Sequence, residues 1–134
     1  MTTPDSNKLR ILIADESHAM RRQLADFVMN VPELSLVGMA DNAAAALSLF
    51  FHFRPDVVLV SICMPDRNGF DLLQSIKQAE PTCSVILMTR YPNPSVESTG
   101  QLLGAVAVFP KSNPLPGLQE LMLSLSQQKV GSKL

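Results

Sequence analysis

Asp15 and Glu16 are adjacent carboxylates that directly follow an apolar run, Leu9 to Ala14. Oxygen donors of this kind suit a hard cation such as Mg2+. The same pair also suits the start of a helix, where negative charge is favoured. Taken alone, the pair points to capping first. Lys111 follows another apolar run, Ala105 to Phe109, and could pair with a carboxylate or a bound anion. Thr89 could donate its hydroxyl hydrogen bond to the same anion. Arg90 is next to it, with a side chain long enough to reach over such a place. Ser61 is the one polar residue in the run Val57 to Ile62. Taken singly, Lys111 reads as a solvated loop lysine and Thr89 as a turn residue. They carry chemistry only if the fold gathers them.

The elements implied by the sequence do gather them. Leu9 to Ala14 reads as a buried parallel strand, broken only by Arg10. Asp15, Glu16 or Ser17 can cap a helix whose apolar stripe is Met20, Leu24, Phe27, Val28 and Val31. Leu34 to Met39 is a second strand. Asp41 or Asn42 can cap a helix with the stripe Ala43, Ala46, Leu47, Phe50 and Phe51. Val57 to Ile62 is the third strand, followed by the loop Met64 to Gly69 and a helix through Phe70, Leu72, Leu73 and Ile76. Ser84 to Met88 is the fourth strand. A weak helix over Ser95 to Leu103 follows, with Gly100 inside it. Ala105 to Phe109 is the fifth strand, and Leu118, Leu121, Met122 and Leu125 mark the last helix. Strand and helix alternate five times, which predicts an α/β fold with a doubly wound parallel sheet. Ligands of such sheets bind at the carboxyl ends of the strands. That edge receives Asp15, Glu16, Ser61, Thr89 and Lys111.

Bulk properties narrow the function. The chain has 134 residues, 46% of them hydrophobic and 17% charged, which suits one globular domain. Residues 9–126 form that domain, between a flexible segment at 1–8 and a tail at 127–134 that is expected to fray. The formal net charge is −1, which gives no basis for capturing nucleic acid. No apolar run approaches the ~18 residues of a membrane span. Met1 to Lys8 has no apolar core like that of a secretory signal, so a cytoplasmic location is expected. Cys63 and Cys83 form no CxxC pair and have no histidine at ligand spacing. Two reduced, largely buried thiols are the simpler expectation.

The arrangement resembles the receiver domain of two-component response regulators. The matching stretches are Ile11 to Ser17, Pro55 to Gly69, Val85 to Thr89 and Gly104 through Lys111, within about Lys8 to Leu125. The segment Pro55-Asp56-Val57-Val58-Leu59-Val60, continued by Ile62, Met64-Pro65 and Asn68-Gly69, is the most specific of them. The resemblance implies a flavodoxin-like (βα)5 fold with strand order 2-1-3-4-5. It implies a phosphoryl group passed from a histidine kinase to an aspartate at the end of strand three. It also implies Mg2+ held by Asp15, Glu16 and the Cys63 carbonyl, with Thr89 and Lys111 on the phosphoryl oxygens.

Ser61 stands where the resemblance expects that aspartate. A carboxylate would supply both the nucleophile and a metal ligand. A serine hydroxyl is un-ionised and supplies no anionic ligand, so Mg2+ binding is expected to be weak or absent. Asp56 cannot substitute, because it opens strand three ~16 Å away and points to the other face. Asp66, in the following loop, could approach the pocket. Val108 occupies the position three before Lys111 that is often aromatic in receivers, and Phe109 follows it.

The leading expectation is a non-enzymatic receiver-like interaction module, not phosphorylated on aspartate. Its partner would be a histidine kinase or an output protein, or a second copy, through the face of helix four, strand five and helix five. The alternatives are a working receiver phosphorylated on Ser61 or Asp66, and a small α/β enzyme with Ser61 as nucleophile. The second lacks a G-x-S-x-G elbow around Ser61.

Overall fold

The computed structural model describes residues 7–132. Strands β1 (Leu9–Ala14), β2 (Leu34–Ala40), β3 (Val57–Ser61), β4 (Ser84–Thr89) and β5 (Ala107–Pro110) alternate with five helices. These are α1 (His18–Met29), α2 (Ala43–Phe53), α3 (Gly69–Ala79), α4 (Pro94–Leu102) and α5 (Leu115–Ser132). All neighbouring strands pair in parallel, in the order β2-β1-β3-β4-β5. This is the flavodoxin-like order expected from the sequence.

Period-two alternation sends successive side chains to opposite faces of the sheet. Leu12, Ala14, Val58, Val60 and Leu87 meet α2 and α3 through Phe50, Leu72, Leu73 and Ile76. Ile11, Ile13, Val57, Leu59, Ile86 and Met88 meet α1 and α5 through Leu24, Val28, Leu118 and Met122. Both faces are therefore dry, and each fully buried aliphatic side chain contributes roughly 1.5–3 kcal/mol. Apart from Arg10 and Ser35 near the amino ends of β1 and β2, the strands carry polar residues only at their ends, so the sheet edges are the places left for chemistry.

Helix starts fix those edges. Ser17, Asn42, Asn68 and Asn93 each accept a hydrogen bond from the backbone N–H three residues on. Each such cap is worth about 1 kcal/mol. Between the two capping candidates for α2, Asn42 takes the role, and its amide donates to the Asp41 carboxylate at 2.8 Å. Gly69 opens α3 where only glycine fits, because a Cβ there would lie 2.8 Å from Ile62 Cα and closer still to the Ser61 carbonyl oxygen.

Most strand and helix ends fall within one residue of the sequence reading, and the larger differences are at β5 and α5. β5 begins at Ala107 rather than Ala105, because the turn after α4 reaches further. Gly104 sits at φ +106°, and Ala105 N–H still donates to Gly100 O at 2.9 Å. At the other end, α5 continues through residues 127–132, where a frayed tail was expected. Lys129 anchors that extension by donating to Lys8 O and to Asp56 Oδ2, both at 2.7 Å. The rest of the expected flexible ends, residues 1–6 and 133–134, lies outside the described residues.

Candidate functional site

The carboxyl edge of the sheet brings the sequence candidates together. β1 delivers Asp15, whose side chain is 1% exposed. Its Oδ1 accepts from Ser17 N–H at 2.8 Å, and Arg21 Nη1 donates to its backbone oxygen at 2.8 Å. β5 delivers Lys111, aligned by its N–H bond to Thr89 O at 2.8 Å. Lys111 Nζ donates to Asp15 Oδ1 at 2.9 Å and to Glu16 Oε1 at 3.1 Å. Arg90 adds a longer ion pair, Nη2 to Glu16 Oε1 at 3.7 Å, from a side chain that is 57% exposed. Two carboxylates thus face two cations, one buried and one at the mouth.

The two acids differ in character. Burial raises the Asp15 carboxyl above the ordinary aspartate pKa, against the lowering effect of Ser17 N–H and Lys111. Burial also pushes Glu16 upward, but the Ser61 hydroxyl, its own backbone N–H and Lys111 outweigh it and hold Glu16 below the ordinary glutamate value. Asp15 Oδ2 and Glu16 Oε2 are buried and lack a hydrogen-bond partner among the described residues. Unpaired buried acceptors are costly, so these two atoms are where the site is open to something further.

Ser61 is buried at the end of β3. Its hydroxyl donates to the Cys63 carbonyl at 3.2 Å and lies near enough to Glu16 to lower that acid. With one proton to give, it serves one acceptor at a time. Neither histidine assists it. His18 Nδ1 lies 3.5 Å from Arg21, and His52 packs edge-on against Phe53.

Asp15, Glu16, the Ser61 hydroxyl and the Cys63 carbonyl are the donors a divalent cation could use. They fall short of a resident Mg2+ site in net negative charge. Among the described residues no group of three His, Cys, Asp or Glu side chains could hold a metal. The positive charge that the pair of acids calls for is already supplied by Lys111 and Arg90.

Asp66 does not join this group. It turns to the start of α2, where Oδ1 accepts from Ala43 N–H at 2.8 Å and Oδ2 from Ala44 N–H at 2.9 Å. A carboxylate is attracted to those unpaired helix N–H groups. Thr89 is buried at the edge, and its Oγ1 accepts from Tyr91 N–H at 3.0 Å, as a turn residue does. Cys63 is exposed, not buried as expected, because the chain has already left β3; Cys83 is buried, and both thiols are free. The sequence reading missed Arg21 and Ser17 as the groups that fix Asp15. Ser17 was visible as a cap, whereas Arg21 carried no signal of its own. A cavity of about 400 Å3 lies at the opposite edge of the sheet, by Leu9, Asp56 and Ser84, away from all of these groups.

Comparison with known proteins agrees with this fold. The family model of the response regulator receiver domain matches residues 11–122. A protein-glutamate methylesterase/protein-glutamine glutaminase from Shewanella oneidensis is 35% identical over 105 residues, covering 77% of this chain and 30% of that protein. The chain therefore spans about a third of the length of that curated relative. The signal receiver domain of a DNA-binding response regulator from Colwellia psychrerythraea superposes with a TM-score of 0.83 at 27% identity, covering 90% of this chain and 99% of that one. A chain of the CheX–CheY–BeF3–Mg complex from Borrelia burgdorferi gives 0.79 at 20% identity, covering 87% and 88%.

Proposed function

The chain belongs to the response regulator receiver domain family, and from that premise we propose that it is a two-component signalling module that works by binding a partner without aspartyl phosphorylation at the end of β3. The observation that carries this reading is Ser61. Where the receiver pattern calls for a carboxylate, this chain has a hydroxyl that donates to the Cys63 carbonyl. Phosphoryl transfer to a receiver needs a nucleophile that is already anionic or has a base beside it. Ser61 is neutral, no histidine reaches it, and the carboxylate beside it, Glu16, is held below the ordinary glutamate value and engaged by Lys111, which makes it a poor base. Asp66, the other candidate, is held at the start of α2 by two backbone N–H groups.

A histidine kinase or an output protein remains the partner class of choice. Tyr91 at 72%, Leu102 at 87% and Val106 at 43% exposure place large apolar side chains on and beside α4 and β5. These residues lie at the two ends of α4, and exposed apolar side chains there favour protein docking, by an output protein or a second copy. Nucleic acid is not assigned, since the net charge is −1. A cytoplasmic site of action fits a signalling partner, and among the described residues no helix is long and apolar enough to cross a membrane. The methylesterase and glutaminase activities named for the Shewanella relative belong to that protein. No catalytic step is assigned to this chain.

The test is the amide NMR spectrum of the protein before and after adding a small-molecule phosphodonor with Mg2+. Superimposable spectra are expected. Shifts at Ser61, Thr89 and β5 on adding the donor, absent with Mg2+ alone, would overturn the proposal.

A further inference from the structure

We propose that Lys111 and Arg90 act as built-in counter-ions that close a latent divalent-cation site formed by Asp15 Oδ2 and Glu16 Oε2. This rests on the receiver reading of the pocket and adds to it what sets the pocket's charge.

Asp15 is 1% exposed in its side chain, yet its Oδ2 has no hydrogen-bond partner among the described residues, and Glu16 Oε2 is in the same condition. The other oxygen of each acid is taken by one ammonium group, Lys111 Nζ, at 2.9 and 3.1 Å. Arg90 Nη2 stands 3.7 Å from Glu16 on the solvent side. Two free carboxylate oxygens on adjacent residues are what a Mg2+ ion takes from protein while keeping most of its waters. A third carboxylate would leave the pocket negative and the ion attracted to it. With Ser61 in that place, two cationic side chains balance two carboxylates, and a divalent ion would leave the pocket carrying excess positive charge. Lys111 lacks a third acid to engage, so it commits to the two that remain.

Arg90 is the accessible half of the device. It is largely exposed, so its substitution tests the charge balance without disturbing the core. Calorimetric titration with Mg2+ alone, at low ionic strength, is the measurement. The natural protein is expected to bind weakly. Arg90→Ala is expected to bind about fivefold more tightly, the size set by an exposed ion pair. Arg90→Lys, which keeps the charge, is expected to stay near the natural value. Adding Asp15→Asn to Arg90→Ala is expected to remove the gain. Lys111→Met should tighten binding further if it folds, but Arg90→Ala carries the test without it. Equal affinity for the natural protein and Arg90→Ala would overturn the proposal. So would a gain that survives Asp15→Asn. The readout is metal affinity, so a phosphoryl adduct on the natural protein would sink the functional reading while leaving this result to be judged separately.

Discussion

Asp66 and Cys63 are separated by two residues and do opposite things. Asp66 spends its charge on the first N–H groups of α2, which together with Arg67 N–H hold its carboxyl below the ordinary aspartate pKa. A depressed folded-state pKa stabilises the protein above the ordinary aspartate value and loses that contribution as pH falls through the depressed one. Asp66→Ala is therefore expected to lower the urea midpoint at neutral pH, with the deficit closing at acid pH. A deficit that stayed constant with pH would contradict the charge–helix account. Cys63 is exposed, whereas burial pushes the Cys83 thiol up to about 12. An alkylating reagent at mildly alkaline pH should label one cysteine in the folded protein and two after unfolding, as counted by intact mass. Both residues were visible in the sequence, but their directions were not. Which way a loop side chain turns depends on what the neighbouring helix leaves unpaired, and that is set only when α2 and the β3–α3 loop meet.

At the scale of elements, glycines decide how closely helix and strand approach. Gly69→Ala would drive a Cβ into the backbone of Ser61 and Ile62, which cannot yield as a side chain can. A loss of at least about 2 kcal/mol is expected, within the range for overpacking. Gly100→Ala would place a Cβ 2.9 Å from Val108 Cγ2 and 3.0 Å from Leu87 Cδ1, and side chains can partly give way there. Its cost should be smaller, about 1 kcal/mol, and chemical denaturation of the two variants should rank them in that order. Sequence alone marked Gly100 only as a weak helix former. The structure shows it as the one buried residue of α4. The extension of α5 was hidden for a similar reason, since its polar sequence past Gln127 gives no apolar stripe. Lys129 holds it through a partner 73 residues away. Lys129→Met is expected to speed hydrogen exchange in residues 127–132 while leaving β1 and β3 protected.

At the scale of the whole molecule, alternation of buried strands and amphipathic helices made the fold legible. Parallel strands buried on both faces read as apolar runs; β3 and β4 are such runs apart from their polar ends, and β1 is interrupted only by Arg10. Once they lie side by side with β5, the carboxyl ends of these strands deliver Asp15, Ser61, Thr89 and Lys111 to one edge, so the grouping of these residues followed from topology. What the sequence could not supply was the pairing within it, in which Lys111 takes both acids and Arg90 takes one. With Ser61 at the end of β3, this receiver is expected to accept no phosphoryl group. The most direct measurement is intact mass after incubation with Mg2+ and a small-molecule phosphodonor, on the natural protein and on Ser61→Asp in parallel. No mass gain is expected on the natural chain. A base-labile adduct is expected on Ser61→Asp, where a third carboxylate supplies nucleophile and metal ligand together. A phosphoryl adduct on the natural chain would rule out a receiver silenced at Ser61.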